Sequence, residues 1–180
     1  MSAAAAGQVA TWRAVLDAQS TLMRLYEREL ARDCGISLAW YDVLIHLAEA
    51  PDGTMRMNEL ADSLLLSRSW LSRRVDAMQA AGLVRRCQAA DDRRGVCATL
   101  TSEGRRVHQQ ADRSHARSIR NHFSRFLAVT EAEIIEACFR RIGQHAHEAL
   151  HVPGYPGTKE GNCIDRASRD PGRRQPASSG

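Results

Sequence analysis

Arginines on two adjoining segments carry the most chemistry in this sequence. Between Leu64 and Cys97 lie seven of them, Arg68, Arg73, Arg74, Arg85, Arg86, Arg93 and Arg94, against the three acids Asp76, Asp91 and Asp92, so the stretch alone carries +4. The whole chain, with 25 basic and 21 acidic residues, also sums to +4, which leaves everything outside the stretch balanced. A guanidinium offers two parallel donors to O6 and N7 of guanine, and each phosphate that an arginine neutralises releases condensed counterions. A basic stretch in a neutral background is therefore the expected footprint of a polyanion, with double-stranded DNA the leading partner. An isolated Arg-Ser cluster is more often a solvated helix face. Arginines on two different elements of one unit are harder to explain that way.

The elements that position them follow from apolar spacing. Ser67 can cap a helix that buries Leu71, Val75 and Met78 and ends at Gly82, which puts Arg68, Ser69, Ser72, Arg73 and Asp76 on the projecting side. A short helix over Glu59 to Leu65, capped by Asn58, precedes it. After Gly82 the period changes: Leu83 to Cys87 and Gly95 to Leu100 read as hairpin arms around the polar loop Gln88 to Arg94. A helix pair followed by a hairpin is the winged helix-turn-helix pattern, in which the second helix enters the major groove and the wing tip reaches a minor groove or phosphates.

Longer helices flank this lobe. Apolar residues from Val9 to Arg32, among them Trp12, Val15, Leu16, Leu22, Met23, Tyr26 and Leu30, recur at three- and four-residue spacing, and Gly35 closes that helix. Ser37 caps a second helix through Ala50. Pro51 to Gly53 signals a turn, and Thr54 to Met57 a small strand. Thr101 caps a fifth helix expected to run to about Ala128. Thr130 and Glu133 read as the capping box of a sixth, with Ile134, Ile135, Cys138 and Ile142 as its stripe. From Pro153 onward Gly, Pro, Ser and Arg dominate, a composition that predicts a disordered tail. The expected fold class is mainly α with a small β-hairpin wing, divided into an N-terminal dimerisation helix (1–36), a winged helix-turn-helix DNA-binding lobe (37–104), C-terminal dimerisation helices (105–151) and the tail (152–180). The long helices carry more apolar positions than one lobe can cover, so an identical chain is the simplest partner. A two-fold dimer would present two helices to half-sites of a pseudo-palindromic duplex.

Other classes are disfavoured. No apolar run exceeds four residues, far short of the roughly 20 that span a bilayer. No secretory leader is legible, and the five cysteines, an odd number with no C-x-x-C pair, suit a reduced, cytoplasmic chain. No G-x-S-x-G, Gly-rich phosphate loop or H-E-x-x-H occurs, so no enzyme and no cofactor is expected.

In order and spacing the chain from about Leu38 to Val107 resembles the MarR transcriptional regulators. The matching words are Leu38-Ala39-Trp40-Tyr41-Asp42-Val43-Leu44, Asn58-Glu59-Leu60-Ala61, Ser67-Arg68-Ser69-Trp70-Leu71-Ser72-Arg73-Arg74-Val75-Asp76, Ala81-Gly82-Leu83-Val84-Arg85-Arg86, Asp92-Arg93-Arg94 and Leu100-Thr101-Ser102-Glu103-Gly104. The resemblance implies a homodimer, with the first, fifth and sixth helices interlocked, acting as a ligand-responsive repressor. Its DNA-binding residues would be Arg68, Ser69, Trp70, Ser72, Arg73, Arg74, Arg86, Asp92, Arg93 and Arg94, with Asp92 holding Arg94. Trp70 is bulky where relatives often carry a small polar residue. A small aromatic effector would sit in a cleft lined from the first, second and fifth helices, with Trp12, Tyr41, His46 and His108 as candidates.

Three further readings compete. His108, His115 and His122 recur every seven residues, and His145, His147 and His151 crowd the end of the sixth helix. Successive imidazoles of the heptad stripe are about 10 Å apart along the axis, too far to share one ion, so polar-face histidines are expected rather than a metal-sensing site. Cys34 at a helix junction is the candidate for a redox-sensing regulator, with a bystander thiol as the expectation. A winged helix used only for protein contact would lack salt-dependent DNA affinity.

Overall fold

A computed structural model describes residues 3–89 and 92–149. The long first helix, α1 (Ala3–Cys34), ends where Gly35 takes φ +68. Ser37 then caps α2 (Leu38–Glu49), its hydroxyl accepting the Trp40 N–H at 3.1 Å, and α2 buries Tyr41, Val43, Leu44, Ile45 and Leu47. A single 3-10 turn over Pro51–Gly53 leads into β1 (Thr54–Arg56), α3 (Met57–Ser63) and α4 (Arg68–Ala80). β2 (Val84–Ala89) and β3 (Asp92–Leu100) form the hairpin, α5 (Ser102–His122) follows, and α6 (Val129–Ala149) closes the described chain. The three strands make an antiparallel sheet in the order β1-β3-β2, with Thr54 opposite Thr99 and Val84 opposite Leu100. The fold is thus mainly helical with a small sheet, and among the described residues no helix is long and apolar enough to cross a membrane.

One core serves the lobe and ties it to the long helices. Leu44 and Leu47 of α2, Leu60 of α3, Leu71, Val75 and Met78 of α4, Val84 and Ala98 of the sheet and Ala111 of α5 are all buried in it, together with Leu30 of α1. The turn between α3 and α4 passes through Leu65 at φ 53, an unusual conformation for a branched residue, and leaves that side chain exposed.

Four expected boundaries are corrected. α3 runs from Met57 to Ser63 rather than from Glu59 to Leu65, with Arg56 before it in extended conformation and no side-chain cap, so Asn58 lies inside the helix and Met57 belongs to it rather than to β1. Met57 packs against the core, and that contact outweighs the capping preference of Asn58. α5 stops at His122 rather than near Ala128, because Phe123 leaves the helical region at φ −131, ψ −69 and a 3-10 turn follows over Ser124–Phe126. Apolar spacing continues through this break without glycine or proline, so periodicity alone runs past it. α6 begins at Val129, and it is Glu131, not Glu133, that reaches back, its carboxylate accepting the Ala128 N–H at 2.8 Å. The hairpin arms extend beyond the expected ones, taking Gln88, Ala89 and Asp92 to Arg94 into strands. The expected tail from Pro153 lies outside the described residues.

The lobe is locked where α4, the hairpin and α5 converge. Gly82, at φ +74, ends α4 with its N–H on Gln79 O at 2.9 Å and the Leu83 N–H on Met78 O at 3.0 Å, the paired bonds of a Schellman stop. The Thr101 hydroxyl donates to the Gly82 and Leu83 carbonyls at 2.7 and 3.0 Å and accepts the Gly104 N–H at 2.9 Å. Gly104 packs so closely that a Cβ there would lie 2.0 Å from the Leu83 carbonyl oxygen. The obstruction is backbone, which cannot swing aside as a side chain would. Gly104→Ala is therefore expected to destabilise the protein by about 3 kcal/mol, at the upper end for overpacking, read as a fall in chemical-denaturation midpoint. A midpoint unchanged within error would show that α5 can slide away from the hairpin.

Candidate nucleic-acid interface

α4 has two distinct faces. Leu71, Val75 and Met78 are fully buried, whereas Arg68, Ser69, Trp70 and Arg73 are exposed, and Ser72 and Arg74 are half-buried at the edge. Ser67 caps the helix, its hydroxyl accepting the Trp70 N–H at 3.3 Å and lying 3.2 Å from the Ser69 hydroxyl. Trp70 is 63% exposed, so a large apolar ring stands among guanidinium and hydroxyl groups at the leading turn. The backbones of Asp92, Arg93 and Arg94 belong to β3, which brings the wing onto the sheet that packs against α4. Their side chains, and with them the expected Asp92–Arg94 pairing, lie outside the described residues.

Arg86 has a different place from the other arginines. Its Nε donates to Asp76 Oδ1 at 3.0 Å, and its Nη2 donates to the same oxygen at 2.8 Å, to Ser72 Oγ at 2.9 Å and to Ser72 O at 3.2 Å. Its backbone N–H goes to Gln79 Oε1 at 3.2 Å. A strand residue is thereby fastened to three positions of α4, which fixes the angle between helix and wing. Sequence reasoning placed Asp76 on the projecting face and missed this clamp. Its only signal was an acid and a serine one turn apart, Ser72 and Asp76, followed by the hairpin.

Behind the lobe, α5 faces α1 and α2 with polar and aromatic groups. The His108 and His115 rings stack on and abut Tyr41, at centroid distances of 6.1 and 5.2 Å, and His115 also meets Tyr26 edge-on at 5.1 Å. Tyr41 donates its hydroxyl proton to Asp112 Oδ1 at 2.8 Å. One turn on, Glu29 accepts from the Ser118 hydroxyl and lies 3.0 Å from His122 Nε2. These bonds hold the Glu29 carboxyl below its ordinary range against the opposing effect of burial. Asp33 receives Arg32 Nε at 2.7 Å, the Ser114 hydroxyl at 2.7 Å and Arg117 Nη2 at 2.5 Å, and the Arg32 and Ser114 bonds above all lower its carboxyl to about 2. The heptad histidines thus lie on the inner face of α5, not on a polar outer face as expected. The spacing alone cannot tell an inner polar stripe from an outer one.

The remaining candidates are scattered. Trp12 is 58% exposed and sits 14 residues before Tyr26, about 21 Å along α1, so it does not join Tyr41 and His108. His46 is half-buried with its Nδ1 2.8 Å from Asp42 O. Cys34 packs against the core, where burial and the neighbouring Asp33 push its thiol up and disfavour the thiolate. Among the described residues no group of three or more His, Cys, Asp or Glu is arranged to hold a metal ion. The side chain of His147, and His151 entirely, lie outside the described residues.

With this geometry in view, the relationships to other proteins are specific. The sequence profile of the MarR family matches residues 35–95, the segment from Gly35 to the return arm of the wing. AbsC, a MarR family transcriptional regulator from Streptomyces coelicolor, is similar at 30% identity and a TM-score of 0.72, over 77% of this chain and 93% of that one. Sco3205, a MarR family transcriptional regulator of the same organism solved in complex with DNA, is similar at 30% identity and a TM-score of 0.75, over 84% and 92%. A MarR mutant from E. coli complexed with operator DNA shares the fold at 21% identity and a TM-score of 0.67, over 76% and 95%. No curated protein matches the sequence significantly. The fold and the exposed basic helix define a winged helix-turn-helix protein. The chain belongs to the MarR family of transcriptional regulators.

Replacing Arg86 by alanine removes the clamp. It should lower stability by about 1 kcal/mol and weaken DNA binding while leaving the slope of log affinity against log salt intact. A slope reduced by about 0.9 would instead place Arg86 on a phosphate.

For His115, burial lowers the pKa, opposed in part by Asp112. The unfolded chain therefore takes up the proton first. The neutral form supports the fold fully above the ordinary value of 6.5, and this contribution declines as pH falls below it. Wild type should thus lose more thermal stability than His115→Gln between about pH 7.5 and about pH 5.5; equal losses would show that His115 titrates alike in both states.

Proposed function

We propose that this chain is a sequence-specific DNA-binding transcriptional regulator that acts in the cytoplasm as a homodimer on a pseudo-palindromic operator. The observation that carries the reading is the two-faced α4: Leu71, Val75 and Met78 dock it on the core while Arg68, Ser69, Trp70 and Arg73 stand exposed on its far side. That Sco3205, of the same family, has been solved with DNA supports it. Arg73 and Arg68 would read base edges in the major groove, Ser69, Ser72 and Arg74 would contact phosphates, and the wing arginines Arg93 and Arg94, oriented by Asp92, would follow a neighbouring minor groove. Arg86 acts through α4 rather than on DNA.

Dimerisation is supported by the apolar groups left uncovered outside the lobe. Trp12, Leu16 and Met23 on α1, Phe126 and Val129 at the α5–α6 turn, and Ile134, Phe139 and Ile142 on α6 are all exposed in the single chain. An area of this kind on two terminal helices suits a self-complementary interface. Binding of a small aromatic effector near Tyr41 and His108 would give a repressor its response. Because those two rings are buried and stacked, such a ligand enters only by displacing one of them.

The test is a titration of duplex DNA at two salt concentrations with two variants. Arg73→Ala should cost about 1 to 3 kcal/mol per half-site and relax sequence preference, whereas Arg94→Ala should weaken specific and random duplexes alike and reduce the salt slope by about one per contact. Sedimentation of the same samples should show a dimer at micromolar protein. A monomer indifferent to every duplex would overturn the proposal.

A further inference from the structure

We propose that Cys87 and Cys97 form an oxidisable dithiol at the base of the wing, which a low-molecular-weight disulfide converts to an intramolecular disulfide that weakens DNA binding. The coupling to DNA rests on the function proposed above; the chemistry of the pair does not.

The two residues sit directly opposite each other on β2 and β3, and both are thiols in the structure. Opposed residues of an antiparallel pair point to the same face of the sheet. That face is the one turned away from α4, since the alternate residues Arg86 and Val84 bond to α4 or enter the core. Cys87 is half-buried with its Sγ 3.1 Å from the Thr99 hydroxyl, so a small reagent can reach it, while Cys97 is only 6% exposed and is placed to act second. A lone buried thiol would be inert; a reachable thiol with a second one across the ladder has a resolving partner.

The step balances without any further reagent. The Cys87 thiolate attacks one sulfur of the small disulfide, the S–S bond breaks, and the departing thiolate takes up the proton that Cys87 gave. The Cys97 thiolate then attacks Cys87 Sγ in the mixed disulfide and expels the second small thiolate, which takes the Cys97 proton. Two protein thiols are oxidised and one small disulfide is reduced to two thiols.

Closing the bridge requires the hairpin to move. The Arg86 N–H leaves the sheet for Gln79, so Arg86 and Ala98 are a pair without ladder bonds, and Cys87 and Cys97 are the adjacent pair that exchanges them. Opposed Cβ atoms in such a pair are about 5.5 Å apart, whereas a disulfide holds them about 3.8 Å apart. The register shift between Gln88 and Ala89 begins one residue beyond, where a ladder yields most easily. Drawing Cys87 inward displaces Arg86, its chain neighbour, from Asp76 and Ser72, and so changes the angle between wing and recognition helix.

The experiment treats the intact reduced protein with oxidised glutathione, alkylates the remaining thiols and maps peptides without reduction. Trypsin should release the segment Cys87–Arg93 linked to Gly95–Arg105, with the loss of two hydrogens from the protein mass. In Cys97→Ser, glutathione should instead remain on Cys87. Should Cys87 and Cys97 both stay alkylable, or should bridges form only through Cys34, Cys138 or Cys163, the dithiol is wrong. The purified disulfide form should bind a duplex selected by the reduced protein at least about fivefold more weakly, the lower end of usual coupling factors, with recovery in dithiothreitol. Unchanged affinity in a protein whose bridge is proved would refute the coupling while leaving DNA binding itself intact.

Discussion

The approach of Gly104 to the Leu83 carbonyl sets the spacing on which the rest of the lobe depends. Only a residue without Cβ allows the first turn of α5 to rest on the end of the α4–β2 turn, and the Thr101 hydroxyl then bonds both Gly82 and Leu83. Three elements meet at this point: α4 with its exposed basic face, the hairpin that forms the wing, and α5, which packs against α1 and α2. A change in the position of α5 is thereby a change at the root of α4.

Two polar systems extend from that junction. On the side of the exposed basic face, Arg86 links strand to helix through Asp76, Ser72 and Gln79, which ties the hairpin to α4. On the other side, Glu29 and Asp33 of α1 hold Ser114, Arg117, Ser118 and His122 of α5. The largely exposed ion pairs in these systems add little stability individually, so their value is geometric. They determine where α1 stands against α5 and where the hairpin stands against α4. Tyr26, Tyr41, His108 and His115 occupy the space between, where loss of a ring contact or gain of a proton alters the packing of α5 against α1 and α2.

The lobe was legible because its signals are local. Ser67 before an apolar stripe, Gly82 after it and a change from helical to alternating period each have one cheap structural solution, and the structure adopts it at α4 and the hairpin. The end of α5 was not legible, since Phe123 breaks the helix amid residues that continue its spacing. The start of α6 is obscured because Thr130 and Glu133 imitate a capping box two residues inside the observed Ala128–Glu131 bond. In the candidate site, the exposed face of Arg68, Ser69, Trp70 and Arg73 could be read from helical geometry. That Arg86 turns inward could not, because it depends on the register between β2 and α4. The inward face of His108 and His115 was hidden for a different reason: a heptad of histidines by itself carries no hydrophobic contrast to say which side is buried.

In the proposed dimer two such lobes, related by two-fold symmetry, recognise a defined duplex. Selection of bound duplexes from a random-sequence pool at moderate salt tests it most directly. An inverted repeat whose half-site centres lie about one helical turn, or roughly 10 base pairs, apart should be enriched. A pool that stays random after repeated rounds, or one that yields a single unrepeated site, would contradict it.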